Sequence, residues 1–262
     1  MSLTIYPQLK RKIAPSAGGL LPDCKICGSP TRHFATVDFN KFCDGDPYRL
    51  GIADLAVNYF ACGNCECKFT DFFDNWSEED FSNFLYNDEY IKVDPDYTFT
   101  RPFETARLLR HRLLPVQALR MLDYGSGSGI MAKIMNEFGF NFDAYDPFSS
   151  PKKPEGLFDV VTAFEVIEHS PRPLETFQQI SDFLPDRKIV LVGQSLQPPD
   201  IDEIGGSWWY MAPRNGHCTT YSQKTFEILA ANMGLKVKFG SGLYAFYSHD
   251  DEITELTLGA VL

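Results

Sequence analysis

Short blocks of apolar residues alternate with polar ones along the chain, and from residue 120 onward they follow a strand–helix rhythm. Four apolar runs predict buried strands, over residues 121–124, 141–145, 158–164 and 188–192. Apolar residues at helical spacing predict three helices, over residues 130–138, 173–183 and 222–233. Residues 235–239 and 243–247 read as a closing hairpin. This order predicts an α/β fold built on a mainly parallel sheet.

A glycine-rich turn separates the first of these strands from its helix. In residues 125–129 (Gly-Ser-Gly-Ser-Gly) the missing side chains let backbone amides approach a ligand, and the helix N-terminus adds partial positive charge. The second strand ends in Asp146, where an acid usually accepts hydrogen bonds from a ribose diol. Asp123, two residues before the first glycine, would repel a pyrophosphate but suit a cationic amino group. We therefore expect a cofactor that carries both an amino acid moiety and a ribose.

Residues 121–129 resemble the first motif of the class I S-adenosylmethionine-dependent methyltransferases, and Tyr145-Asp146-Pro147 resembles their ribose-binding acid. Residues 158–169 end in Glu168-His169 and are similar to the subgroup that contains ubiquinone-pathway O-methyltransferases and sugar methyltransferases. Residues 208–213, with His217 and Tyr221-Ser222 after them, resemble the segment before that subgroup's last helix. The resemblance covers residues 100–248.

This resemblance implies that the cofactor is S-adenosylmethionine (SAM). The residues expected to bind it are Asp123, Gly125, Ser126, Gly127, Asp146, Pro147, Phe148, Ala163 and Phe164. His169 and His217 are the candidate catalytic residues, because a methyl acceptor often has to lose a proton. Ordinary core packing is an equal alternative for Phe164. The alternative for His169 is a histidine that hydrogen-bonds the loop, and for His217 it is a surface loop histidine without a special role.

The sequence departs from the family after the second strand. Only residues 147–158 separate Asp146 from Asp159, whereas a β-α-β unit takes about 30 residues. Prolines at 147, 151 and 154 also exclude a continuous helix there. We therefore expect a Rossmann-like methyltransferase sheet that lacks its outermost strand, with the second strand at the edge and covered by other parts of the protein or by another subunit. How adenine is held without that unit stays open.

Seven cysteines include two C-x-x-C pairs. Two residues between thiolates allow a tight turn to direct both sulfurs at one ion, and two such turns supply the four tetrahedral ligands of a structural zinc. The sequence predicts a zinc-ribbon-like module whose ligands are Cys24, Cys27, Cys62 and Cys65. Cys67 in place of Cys65, or two pairs of buried or redox thiols without metal, are the alternatives.

These features predict five segments: a flexible arm over residues 1–20, the zinc-ribbon-like module over 21–75, a linker helix over 76–100, a methyltransferase domain over 101–250 and a C-terminal tail over 251–262. Within the linker, Ser77 is a candidate cap for an acidic helix start. Residues 194–221 form a long connection, which we interpret as a lid with aromatic walls for a substrate.

The net charge of the chain limits the classes of partner that the protein can bind. With 24 Lys+Arg against 35 Asp+Glu, the net charge of −11 disfavours binding to nucleic acid backbones. Apolar stretches are too short to span a bilayer and no secretory signal is visible, so we expect a cytoplasmic protein without a membrane partner. The sequence predicts a methyltransferase for a small molecule: a sugar, a nucleotide-sugar or a related metabolite. The alternatives are an RNA methyltransferase that binds RNA with its zinc module and a catalytically silent relative. The sequence does not say which atom is methylated or whether the protein forms a homo-oligomer.

Overall fold

The computed structural model describes residues 21–150 and 152–262, and these form two compact units. The first unit contains residues 21–94, 168–173 and 196–225, and the second contains residues 95–167, 174–195 and 226–262. Both units are therefore discontinuous, whereas we expected contiguous segments with boundaries near residues 75 and 100. The predicted arm over residues 1–20 lies outside the described residues.

Seven α-helices lie within the described residues: α1 Glu78–Phe84, α2 Thr100–Arg112, α3 Ile130–Glu137, α4 Pro173–Ser181, α5 Ile201–Ile204, α6 Gln223–Asn232 and α7 Glu252–Val261. Ten strands accompany them: β1 Thr31–Asp38, β2 Ala56–Cys62, β3 Lys68–Phe69, β4 Arg120–Tyr124, β5 Asn141–Tyr145, β6 Val160–Phe164, β7 Ile189–Gly193, β8 Thr219–Thr220, β9 Lys236–Phe239 and β10 Leu243–Tyr247. None of these helices is long and apolar enough to cross a membrane.

The second unit is built on a six-stranded sheet in the order β5-β4-β6-β7-β10-β9. The first four strands are parallel, and β10 runs antiparallel to both β7 and β9. Helices α2, α3 and α7 bury residues such as Leu109 and Leu258 in one core. Phe177 of α4 and Phe226 of α6 contact Phe246 of β10, whose neighbour Ala245 belongs to that first core. Because successive side chains of a strand point to opposite faces, helices cover both faces, and the predicted Rossmann-like α/β fold is confirmed.

One of the two edge strands of this sheet is β5, as expected from the short connection after Asp146. No strand forms within residues 147–150 and 152–158, and among the described residues β5 pairs only with β4. Arg120 fixes the connection by donating to the carbonyls of Glu155 and Leu157 and by pairing with Asp143 of β5. A chain of this length can therefore cross from β5 to β6 without a helix.

The first unit is built on a smaller, antiparallel sheet in the order β1-β2-β3-β8. Its core joins Tyr59 and Phe81 from the early part of the chain with Trp208, Tyr210 and Met211 from the long connection before α6. Residues 210–221 are buried throughout. The second half of the segment that we interpreted as a lid is thus an internal part of the unit that carries the cysteines.

Two helix starts illustrate what local sequence specifies. The Ser77 side chain accepts a hydrogen bond from the Asp80 amide at the start of α1, and the Asp80 carboxylate accepts one from the Ser77 amide. Asp251 caps α7 in a similar way, by accepting from the amide of Thr254. Residues 251–262 are therefore mainly helical where we expected a tail, because Leu258 and its neighbours find an apolar surface in the second unit.

Candidate functional site

The glycine-rich turn joins β4 to α3 through three residues in the left-handed conformation. Gly125, Gly127 and Gly129 have φ values of 73°, 53° and 72°, in the left-handed region that favours glycine. A Cβ at Gly125 would lie 2.5 Å from Cγ2 of Val166. The amides of Gly125 and Ser126 point at the carbonyl of Tyr145, at 2.8 and 3.3 Å, which ties the turn to the end of β5.

Asp146 orders the loops on both sides of the turn. Its Oδ2 accepts from the Gly127 amide at 2.9 Å, and its Oδ1 accepts from the amides of Phe148 and Ser149 at 2.9 and 3.1 Å. Each carboxylate oxygen has two acceptor positions, so these three bonds leave one position, on Oδ2, for a ribose hydroxyl. Pro147 is half-buried, and 58% of the Phe148 side chain is exposed, where it could stack on a base.

Asp123 occupies the carboxyl end of β4 and is almost completely buried. It accepts a hydrogen bond from Thr162 Oγ1 at 3.1 Å. Burial raises the pKa of Asp123 from 3.8 to about 7; the Thr162 hydrogen bond opposes this and the charge of Asp146 adds to it. A cationic amino group of a cofactor would favour the ionised form here.

The end of β6 places Ala163 and Phe164. Ala163 is fully buried, and the Phe164 ring lies so close to Gly193 that a Cβ there would be 2.5 Å from Cδ1 of the ring. Phe164 packs against the core of the second unit; its expected position under the methyl sulfonium stays a prediction. Glu165 follows with a φ of 52°, a conformation that non-glycine residues seldom adopt outside functional turns.

His169 and His217 lie together in the first unit. Their ring centroids are 4.8 Å apart, and one ligand atom from each ring and a Glu168 carboxylate oxygen all lie within 4.8 Å of one another. Glu168 is fully buried, and its Oε1 is 3.5 Å from His169 Nε2. These three side chains, called the acceptor triad below, could act on a proton or hold a divalent cation.

Two tyrosines orient the acceptor triad, and we did not predict either of them as a site residue. Tyr86 OH is 3.1 Å from His169 Nδ1, and Tyr210 OH donates to Glu168 Oε1 at 2.9 Å. His217 Nδ1 donates to the backbone carbonyl of Tyr210 at 2.7 Å, so the neutral ring carries its lone pair on Nε2. Tyr210 had a signal in the aromatic run at 208–210, whereas Tyr86 follows α1 with no motif around it.

The four predicted metal ligands also come together. The Sγ atoms of Cys24 and Cys65 are 3.4 Å apart, those of Cys27 and Cys62 are 3.5 Å apart, and all four lie within 4.8 Å of one another. Zinc–thiolate bonds of about 2.3 Å place tetrahedral sulfurs about 3.8 Å apart, so the four thiols fit one zinc ion.

Backbone amides support these sulfurs. The amides of Ile26 and Asn64 lie 3.4 Å from Cys24 Sγ and Cys62 Sγ respectively, the arrangement expected around thiolate ligands. Cys67 is fully buried but is not part of the group of four that could share an ion.

A methyltransferase domain model matches residues 99–238. Among solved structures, the chain is similar to a SAM-dependent methyltransferase from Thermotoga maritima that is described as a possible histamine N-methyltransferase. The two sequences are 13% identical, the alignment covers 59% of this chain and 98% of that chain, and the TM-score is 0.38. It is also similar to magnesium protoporphyrin IX methyltransferase from Synechocystis PCC 6803 with bound SAH, with 11% identity, 68% and 94% covered, and a TM-score of 0.40. No curated protein sequence matches the chain.

The matched residues include the glycine-rich turn, Asp146 and the strands β4 to β7 that position them. More than half of the chain lies within this match, and the parallel sheet agrees with it. The chain therefore belongs to the methyltransferase domain family and is a class I SAM-dependent methyltransferase.

Proposed function

We propose that the protein transfers a methyl group from SAM to a small, hydroxyl-bearing molecule such as a sugar, a nucleotide-sugar or a related metabolite. The observation that carries this proposal is the acceptor triad with its two tyrosines: a carboxylate, two imidazoles and two phenols within one unit. Tyr86 and His169 keep part of their surface exposed, so they can bond to an acceptor hydroxyl while the buried members of the group hold them in place. SAM supplies the electrophilic methyl group when it is bound at the glycine-rich turn.

In this proposal His169 removes the proton that the acceptor must lose. Its side chain is 19% exposed, while Glu168 is completely buried beside it. The carboxylate stabilises the imidazolium that forms when His169 takes up a proton, and Tyr86 keeps the ring oriented from the opposite nitrogen.

A second mode of activation uses the same side chains. The close approach of ligand atoms from Glu168, His169 and His217 suits a divalent cation. The other ring nitrogen of His217 bonds to the Tyr210 carbonyl, and that of His169 bonds to the Tyr86 hydroxyl. Metal-binding histidines usually have such a partner on their second nitrogen. A bound cation would polarise an acceptor oxygen. Loss of activity on mild chelation, reversed by Mg²⁺ or Mn²⁺ while the four-cysteine site keeps its metal, would favour this mode.

We further propose that the four-cysteine site holds zinc in a structural role. Four sulfur ligands leave no open position for a substrate. Metal analysis of the purified protein should find one zinc per chain, and Cys27→Ser should lower that content.

A variant of His169 tests the proposed reaction. His169→Ala should lower the methylation rate by about 10²- to 10⁴-fold if this residue is the general base, and calorimetry should show unchanged SAM affinity. His249→Ala, which alters an exposed histidine beside Ser248, is the matched control. The acceptor is found first, with labelled SAM and a panel of nucleotide-sugars, other hydroxylated metabolites and RNA. An unchanged rate with the accepted substrate would eliminate the base role.

A further inference from the structure

Buried side chains from the cysteine-bearing part of the chain hold the segment that carries Tyr210 and His217. Lys41 Nζ donates to the carbonyls of Trp208 and Met211 at 2.6 and 2.7 Å. Tyr59 OH donates to the carbonyl of His217 at 2.7 Å. Both donors are buried. Since an unpaired buried carbonyl is costly, these bonds set the path of residues 208–217.

A second connection runs through the sheet. Strand β3 begins one residue after Cys67, and its Lys68 and Phe69 pair with Thr220 and Thr219 of β8. The Thr70 amide continues this ladder by donating to the carbonyl of Cys218 at 2.9 Å. The Cys218 amide in turn donates to the carbonyl of Glu168 at 2.7 Å. The backbone of Glu168 is therefore hydrogen-bonded to the residue that precedes β8. Strand β8 pairs with β3, which begins shortly after the second cysteine pair.

Each C-x-x-C pair is bonded to a segment that adjoins this ladder. The carbonyl of Cys65 accepts from Thr225 Oγ1, in the helix that follows β8, at 2.8 Å. Lys25, between the two cysteines of the first pair, donates to the carbonyl of Thr70 at 2.8 Å and forms an ion pair with Asp74. The two cysteine pairs are thus bonded to the residues that follow β3 and β8 in the chain.

We propose that the four-cysteine site is a positioning site for the acceptor triad, with Tyr59 as the residue that transmits its geometry to His217. Metal bound by the thiols fixes the positions of β2 and β3. These two strands in turn fix β8 and residues 208–217. The position of that segment then sets the orientation of the two histidines. Loss of the metal then lowers turnover and leaves SAM affinity unchanged, because the expected SAM ligands belong to the second unit. The effect on turnover rests on the proposed function, whereas the effect on histidine geometry does not.

Tyr59→Phe tests the connection without touching the metal ligands. It removes one hydroxyl, so zinc content and SAM affinity should stay unchanged. The ring signal of His217 in an NMR spectrum should shift, the pH profile of turnover should move, and kcat should fall roughly 10-fold or more, as expected when a catalytic group is misplaced by a fraction of an ångström to 1 Å. Tyr247→Phe, in β10 of the second unit, is the matched control. An unchanged His217 signal would overturn the proposal.

Metal removal provides the second measurement. The Cys27→Ser variant, which loses the metal without modification of Cys43 and Cys218 beside the two histidines, should shift the ring signals of His169 and His217 and leave those of His111 and His249 in the second unit unchanged. Metal release with all four signals unchanged overturns the positioning role. Shifted histidine signals in a protein whose His169→Ala variant keeps full activity would support the positioning role and refute the proposed base, so the two failures are distinguishable.

Discussion

The carboxyl groups of Asp123 and Glu168 are both buried, and each has a specific hydrogen-bond donor. Asp123 accepts from Thr162, and Glu168 accepts from Tyr210. Buried carboxyl groups cost stability unless they are hydrogen-bonded or become neutral. Asp123 lies at the carboxyl end of β4 and Glu168 lies four residues after β6, near the strand ends where α/β proteins bind ligands. Burial of these two carboxyl groups therefore costs stability at positions where a ligand is expected to bind.

The raised pKa of Asp123 predicts a specific pH dependence of stability. At pH values between 3.8, the ordinary pKa of this group, and about 7, its pKa in the folded protein, the folded protein retains a proton on Asp123 that the unfolded chain releases. The free energy of unfolding therefore falls as pH rises through this window, and this contribution is constant above it. Asp123→Asn should remove the decline and make the protein more stable than the parent at pH 8.

Urea unfolding without SAM at pH 5, 6, 7 and 8 measures the effect. Asp182→Asn is the control, because Asp182 is exposed and its carboxylate accepts a hydrogen bond from Gln178 of the same helical segment. Parallel pH profiles for the parent and Asp123→Asn would contradict the prediction.

At the scale of elements, the strand–turn–helix unit β4–α3 was the most predictable part of the chain. Its turn needs three left-handed residues, and glycine stands at each of them. Other elements depended on distant partners. Strand β8 has only two residues, and its pairing with β3 joins positions about 150 residues apart in sequence. Local propensity cannot specify a strand that short, because its stability comes from the strand beside it.

The turn itself can be tested with a pair of alanine substitutions. Gly125 and Gly242 share a φ of 73°, but only at Gly125 would the new Cβ meet another group, Val166. Each change should cost about 1 kcal/mol from backbone strain. Gly125→Ala should lose additional stability from the clash and should weaken SAM binding by at least about tenfold, or ~1.4 kcal/mol.

Urea unfolding and calorimetry with SAM measure the two effects separately. Gly242→Ala lies in the β9–β10 turn and should bind SAM like the parent. Equal SAM affinity in both variants would show that the turn tolerates a side chain at position 125.

At the scale of the whole molecule, charge and composition constrain the partners. The cations of the first unit are mostly engaged: Lys25 with Asp74, Arg49 with Asp44, and Lys68 near Asp202. Proteins that bind RNA without a defined pocket use a continuous basic surface with exposed aromatic rings. A chain with a net charge of −11 and paired lysines and arginines instead suits a small acceptor.

This charge predicts the absence of RNA binding by the general electrostatic route. Filter binding with a labelled single-stranded RNA should show no saturable affinity at micromolar protein and 0.15 M salt. Affinity that appears on lowering the salt, with a steep dependence on salt concentration, would indicate displaced counterions and an RNA-binding surface. Such a result would restore the RNA methyltransferase alternative, and the acceptor panel would decide between the two.

The sequence by itself determined the features that depend on neighbouring residues. These include the glycine turn, the acid after β5, the two C-x-x-C pairs, the cap at Ser77 and the shortened connection that leaves β5 at the edge. Each of them follows from backbone conformation or from spacing within a few residues.

Only the tertiary structure decided which unit the remaining segments join. Residues 196–225 follow the parallel strands in the chain, yet they complete the sheet that carries the cysteines. Tyr59, Tyr86 and Tyr210 became partners of the acceptor triad through contacts between residues 42 to 158 positions apart. No local pattern encodes such contacts, because burial of distant segments in a common core selects them.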